Sequence, residues 1–116
     1  MSDYPKEECG VVGISTNVDA SRLAFFALYA IQHRGQESAG LATYNEKIHI
    51  KTGMGLISQA LEEADIETLH GSFSIGHTRY STTGSTRIEN AQPISCMVDN
   101  TEIALSHNGN VINAKQ

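Results

Sequence analysis

No apolar run in this 116-residue chain exceeds nine residues. The longest, Leu23-Ala24-Phe25-Phe26-Ala27-Leu28-Tyr29-Ala30-Ile31, falls far short of the roughly 20 residues that cross a bilayer. Arg22 ahead of it imitates a signal peptide's charged region. The run begins too far from the terminus, however, and leads into Gln32-His33-Arg34 where a small-residue cleavage site would stand. Basic residues are also scarce: 8 Lys and Arg against 13 acids, a formal charge of −5 and no basic cluster. That leaves no electrostatic footprint for nucleic acid or an anionic membrane, so any bound anion must be small and locally recognised. Repeats, low-complexity tracts and linkers are absent, and the length fits one globular unit with one core.

Cysteine is the scarcest reactive type. Cys9 and Cys96 allow one disulfide at most, and without a secretory signal a reducing, cytoplasmic setting keeps both as thiols. No Cys-x-x-Cys or His-x-x-x-His pair accompanies them, so a metal-binding module built on Cys9, Cys96, His77 and His107 has little support from spacing. No metal site is expected.

What is present alternates between strand and helix signals. Residues 9–15 predict a short buried strand followed by turn-formers. A helix follows, capped by Asp19 or Ser21, with Leu23, Phe26, Ala27, Ala30 and Ile31 on one apolar face and Gly35 stopping it. Residues 38–44 and 48–51 predict a hairpin around Asn45-Glu46. Ile57, Leu61, Ala64 and Leu69 suggest one short helix carrying Glu62, Glu63 and Asp65 as solubilising charges. Residues 73–77 predict a strand and 80–92 a polar loop. Residues 94–98 and 103–107 then form a second hairpin across Asp99-Asn100. Asn110 can cap a helix that the last residues only begin, so the expectation is a truncated domain.

Cys9 heads the first strand behind an eight-residue polar leader. A lone cysteine is commonly just a small buried hydrophobe. Cutting after Glu8, however, would give Cys9 a free α-amino group, with a reference pKa of about 7.7–8.0, able to act as base for its own thiol.

Five blocks then carry a resemblance. Cys9-Gly10-Val11-Val12-Gly13-Ile14, Gln32-His33-Arg34-Gly35-Gln36-Glu37-Ser38-Ala39-Gly40, Gly76-His77-Thr78-Arg79-Tyr80-Ser81-Thr82-Thr83-Gly84-Ser85, Asn90-Ala91-Gln92-Pro93 and Ser106-His107-Asn108-Gly109-Asn110 resemble, in order, the class II glutaminase domain of the amidophosphoribosyltransferases. The resemblance implies an α+β fold, the N-terminal-nucleophile αββα four-layer sandwich, of which this chain would hold about the first half. It implies glutamine hydrolysis to supply ammonia for phosphoribosylamine synthesis from phosphoribosyl pyrophosphate, opening purine synthesis. Residues 1–8 look like the family's propeptide, and 9–116 like the N-terminal part of the domain.

By the same resemblance Cys9 is the nucleophile, forming a thioester with the glutamine side chain, and Asn108 with the Gly109 N–H holds the oxyanion. Donors fixed where charge develops are worth roughly 10²–10³ in rate. Arg79 would bind the glutamine α-carboxylate, a planar task suited to guanidinium, with Thr82 a further contact and Arg34 and Gly35 close to the nucleophile. Each has a plainer reading: Asn-Gly is a common turn, Arg79 could make a surface salt bridge, and Arg34-Gly35 could cap the helix.

The family's phosphoribosyltransferase domain, and its aspartate for the substrate α-amino group, match nothing up to Gln116, so the isolated chain is expected to be inactive. Mg²⁺ with phosphoribosyl pyrophosphate, a 4Fe–4S cluster in some members and a homo-oligomer are implied for the parent enzyme, with no cofactor held by this chain. Other class II amidotransferases, such as glucosamine-6-phosphate synthase, share the cysteine and the Asn-Gly. Gln32 to Ser38 and Asn90 to Pro93 favour the purine enzyme.

Overall fold

Strand and helix signals separate cleanly in the computed structural model, which describes residues 9–32, 37–79 and 91–107. In chain order the elements are β1 (Gly10–Ser15), α1 (Ser21–Ile31), β2 (Ser38–Asn45), β3 (Lys47–Met54), α2 (Ile57–Ala60), α3 (Glu63–Thr68), β4 (Phe73–Arg79), β5 (Ile94–Val98) and β6 (Thr101–Leu105). Four strands form one sheet in the order β1-β4-β2-β3, every neighbouring pair antiparallel. The β5-β6 hairpin is a separate two-stranded sheet.

Alternation along the strands sends one set of side chains to each face. Val12 and Ile14 of β1, Ala39 and Leu41 of β2 and the helices' Ala24, Leu28, Ile57, Ala60, Leu61 and Leu69 make the core on one face. Register places Gly76 between Val12 and Leu41 in that layer. A Cβ on Gly76 would stand 2.8 Å from Leu28 Cδ1, 2.8 Å from Leu41 Cδ2 and 2.9 Å from Val12 Cγ2. Its missing side chain is the space into which Leu28 inserts, which seats α1 on the sheet. His77, the next residue, therefore points to the opposite face.

There the second hairpin lies, tied down by residues 91–93, which are buried. A side chain on Gly40 would collide with the Gln92 carbonyl oxygen, so the crossing depends on glycine there. Helices, main sheet and hairpin are three successive layers among the described residues, in keeping with the expected sandwich.

Several expectations need correction. β1 is not fully buried: it lies at the sheet's edge, and its residues alternate between half-buried and exposed. The buried side of α1 is Ser21, Ala24 and Leu28. Leu23, Phe26 and Ile31, expected inside, are exposed. The helix is apolar nearly all round, so periodicity alone could not choose its face. The contact was decided by small residues and by the Gly76 opening.

Neither expected cap of α1 is used, for its N-cap is Ala20 with no side-chain bond. Asp19 instead accepts from the Gly71 N–H at 3.0 Å and pairs with His70 Nδ1 at 3.0 Å. Ser21 Oγ donates to the Ile66 carbonyl at 3.2 Å. The helix also ends before Gly35, because Gln32 is already extended.

The single acidic helix is two helices, broken where Leu61 turns extended to bury its side chain. Its acids do structural work. Glu63 pairs with Arg22, and Asp65 accepts from the Glu62 N–H at 2.9 Å and approaches Lys51 Nζ at 3.7 Å. The first hairpin turns on Glu46 alone, at φ 67°. The second turns on Asp99 and Asn100, at φ 49° and 68°, and resumes at Thr101, two residues before the expected strand. One face of this hairpin leaves Ile94, Val98, Ile103 and Leu105 exposed, and Met97 is exposed on the other.

Candidate active site

The site builds from the end of the sheet where β1 starts. The last pair of the β1-β4 ladder is Gly10 with Thr78. One residue further, the register sets Cys9 across from Arg79, on the face away from the helices. Arg79 in turn pairs with Ser38 of β2. The spacing of three elements thus brings the predicted nucleophile and the predicted carboxylate-binding arginine to one edge. Cys9 is partly exposed, and neither it nor Cys96 is in a disulfide.

Arg79 is held in place by Glu37. The Glu37 N–H donates to the Arg79 carbonyl at 2.6 Å, and the Gly55 N–H donates to the Glu37 carbonyl at 2.9 Å. Arg79 Nε lies 3.2 Å from Glu37 Oε2, with Glu37's side chain only 5 % exposed. The N–H is not aimed well enough for a hydrogen bond, and Oε2 has no hydrogen bond among the described residues. The contact is an ion pair by proximity. The salt-bridge alternative for Arg79 therefore holds as far as Nε, but the bridge is half-buried and anchors the guanidinium beside Cys9.

Behind this edge stands a relay that sequence reading did not assign. His77 is fully buried, and its Nε2 lies 2.8 Å from the His107 carbonyl. A carbonyl only accepts, so Nε2 carries the proton. Burial, more than any other influence, holds His77 below the usual imidazole range, against the raising effect of that bond. The imidazole is therefore neutral near pH 7, and its Nδ1 has no hydrogen-bond partner among the described residues. The His107 N–H donates to Gln92 Oε1 at 2.8 Å. Three of the quoted blocks thus meet: the β4 strand through His77, the Ala91-Gln92-Pro93 crossing and the end of the second hairpin. The legible signal was a histidine inside the Gly76-His77-Thr78-Arg79 block of a predicted strand.

Arg34, Gly35, Thr82, Asn108 and Gly109 lie outside the described residues. Among the described residues no group of three His, Cys, Asp or Glu side chains is placed to hold a metal ion, and no helix is long and apolar enough to cross a membrane. A mainly apolar groove of about 430 Å³ runs over the same sheet face, lined by Gly13, Ala42, Tyr44, Phe73, Ile75 and Ala104 among others. Gly13 is four residues from Cys9, about 13 Å along the strand, so this groove is not where the thiol chemistry sits.

Comparison with known proteins agrees with this fold. No family model matches the sequence. Amidophosphoribosyltransferase of Synechocystis sp. is 47% identical over 117 residues, covering 99% of this chain and 24% of that protein. Its counterpart from Archaeoglobus fulgidus is 49% identical over 110 residues, covering 93% and 24%. The chain thus spans about a quarter of the length of these relatives. Among solved structures, the glutamine phosphoribosylpyrophosphate amidotransferase of B. subtilis, complexed with ADP and GMP, superposes with a TM-score of 0.76 at 37% identity, covering 90% of this chain and 22% of that one. A second, described as the allosteric regulatory enzyme of purine biosynthesis, gives 0.80 at 38%, covering 90% and 23%. Homology across nearly its whole length, together with the shared glutaminase fold of the N-terminal-nucleophile type, makes this chain a member of the amidophosphoribosyltransferase family that matches about a quarter of a relative's length.

Proposed function

We propose that this chain supplies the glutaminase chemistry of an amidophosphoribosyltransferase, releasing ammonia from glutamine for phosphoribosylamine synthesis. The observation that carries the reading is that Cys9 immediately precedes β1, whose first residue Gly10 pairs with Thr78, next to the Arg79 that Glu37 anchors. On this reading residues 1–8 are removed and the freed α-amino group of Cys9 takes the Sγ proton. The thiolate then attacks the glutamine Cδ, and the carbonyl oxygen becomes an oxyanion that Asn108 and the Gly109 N–H hold. Collapse breaks the C–N bond. The α-ammonium returns its proton to the departing nitrogen, giving ammonia and a Cys9 thioester. Water, deprotonated by the same amine, hydrolyses the thioester to glutamate. Arg79 binds the substrate α-carboxylate, Thr82 contributes a further contact, and Arg34 and Gly35 shape the ground beside the thiol.

The acceptor, phosphoribosyl pyrophosphate with Mg²⁺, belongs on this reading to the remainder of a relative's length, as does the contact for the substrate amino group. The chain's two cysteines cannot complete a cluster that needs four thiolates, so any 4Fe–4S cluster would take its ligands from elsewhere. A cytoplasmic, homo-oligomeric parent enzyme completes the proposal.

The test is the mature protein's mass together with ammonia release. Loss of eight residues, glutamine turnover by the whole protein carrying this sequence, and its abolition in Cys9→Ser are expected. An active protein that keeps its leader would refute the mechanism. Ammonia transfer to fructose 6-phosphate in place of phosphoribosyl pyrophosphate would refute the assignment.

A further inference from the structure

We infer that His77 is a positioning residue for the oxyanion site: through the His107 carbonyl it sets the height and direction of the backbone just before Asn108-Gly109. The inference rests on the glutaminase reading and adds to it a residue given no role there. His107 is the last described residue before the Asn-Gly pair. It is gripped at both ends of its peptide framework. Its carbonyl accepts from His77 Nε2 at 2.8 Å and its N–H donates to Gln92 Oε1 at 2.8 Å. The His107 side chain itself is exposed, so the grip is on the main chain and not on the imidazole.

The two anchors are rigid for separate reasons. His77 belongs to β4, which is paired on both sides by β1 and β2, and none of its surface reaches solvent. Gln92 is buried, and its own carbonyl is packed so close to Gly40 that no side chain fits there. A fully buried imidazole costs free energy unless its polar atoms are used. Here one nitrogen donates to the main chain that leads into the Asn-Gly pair. An oxyanion donor contributes only when it is fixed where charge develops, and a displacement of about 1 Å can cost about 10²-fold in rate. The sulfur does not depend on that grip, because Cys9 is positioned by β1 and its register with β4.

The separation gives the test. His77→Leu keeps an apolar side chain but removes the donor; His77→Gln carries an amide N–H at a comparable reach. In the whole protein, His77→Leu should lower glutaminase kcat about 10- to 100-fold, change KM for glutamine less than about threefold and leave the alkylation rate of Cys9 by iodoacetamide unchanged. His77→Gln should restore kcat to within about threefold of the parent. Hydrogen exchange at the His107 amide should quicken at least about tenfold in His77→Leu and not in His77→Gln, as expected when local opening becomes easier.

A folded His77→Leu protein with unchanged kcat overturns the inference. So does a KM-only effect, or a His77→Gln protein as impaired as His77→Leu. A parent protein that releases no ammonia from glutamine overturns the glutaminase reading and the catalytic part of this inference with it. Unchanged exchange at His107 separately overturns the claim that His77 holds this segment.

Discussion

The Arg79–Glu37 pair makes the most demanding test of the site's construction, because its two members are unequally dry: the arginine side chain is 24 % exposed and the glutamate 5 %. Breaking a buried pair by removing one partner usually costs about 3–5 kcal/mol, mostly from the charge left behind. Arg79→Met strands the drier member. With the pair sited at an open edge, the cost should fall at the lower end, about 3 kcal/mol. Glu37→Gln removes one charged partner of the wetter member and leaves an amide oxygen as acceptor, so about 1–2 kcal/mol is expected. The double variant removes both members of this pair. Its loss should fall short of the sum of the single losses by about 1–3 kcal/mol. Urea unfolding at pH 7, followed by circular dichroism with the slopes compared between variants, gives all four corners of the cycle. The reasoning is refuted if Glu37→Gln costs more than Arg79→Met, or if the two losses simply add. In the kinetic arm, Arg79→Met should raise KM for glutamine, while Glu37→Gln should raise it less.

Three further outcomes can be checked. Gly76→Ala should destabilise by about 1–3 kcal/mol through overpacking, since the new Cβ meets side-chain atoms of buried Leu28 and Leu41 and half-buried Val12 at 2.8–2.9 Å; a neutral or higher melting temperature would contradict the packing described. His77 is held below the usual imidazole range by burial, so well above pH 6.5 both states are neutral there and it contributes nothing to pH dependence. As pH falls below about 6.5, the unfolded chain binds a proton that the folded one refuses, and stability should drop by at most about 1.36 kcal/mol per pH unit down to the folded pKa. The difference in slope between parent and His77→Gln isolates this from the other histidines. Gly40→Val should detach the Gln92 crossing from the sheet, seen as faster exchange at His107, because the new side chain occupies the place of the Gln92 carbonyl.

Much of this was readable beforehand, for physical reasons that differ from residue to residue. The strands around Leu41 and Ile75 were legible because alternation and turn residues are local signals. Cys9, Arg79, Asn108 and Gly109 were singled out through the order and spacing of the motif blocks, and the last two lie outside the described residues. The meeting of Cys9 with Arg79 depends on the register of β1 against β4, which local spacing does not encode. The buried side of α1 was missed because Leu23, Phe26 and Leu28 are equally apolar, and a single glycine on another strand chose between them. Asp19 was misjudged as a helix cap because its better partner, the Gly71 N–H, lies 52 residues away. His77 lacked a role because its partner, the His107 carbonyl, lies 30 residues away.

The β5-β6 hairpin has a practical consequence. It is a ribbon of two strands, apolar on one face at Ile94, Val98, Ile103 and Leu105, with no third strand beside it among the described residues. Such a ribbon is a template for the edge of another chain. The 116-residue polypeptide handled alone should therefore associate as its concentration rises, and Ile103→Lys should keep it dispersed.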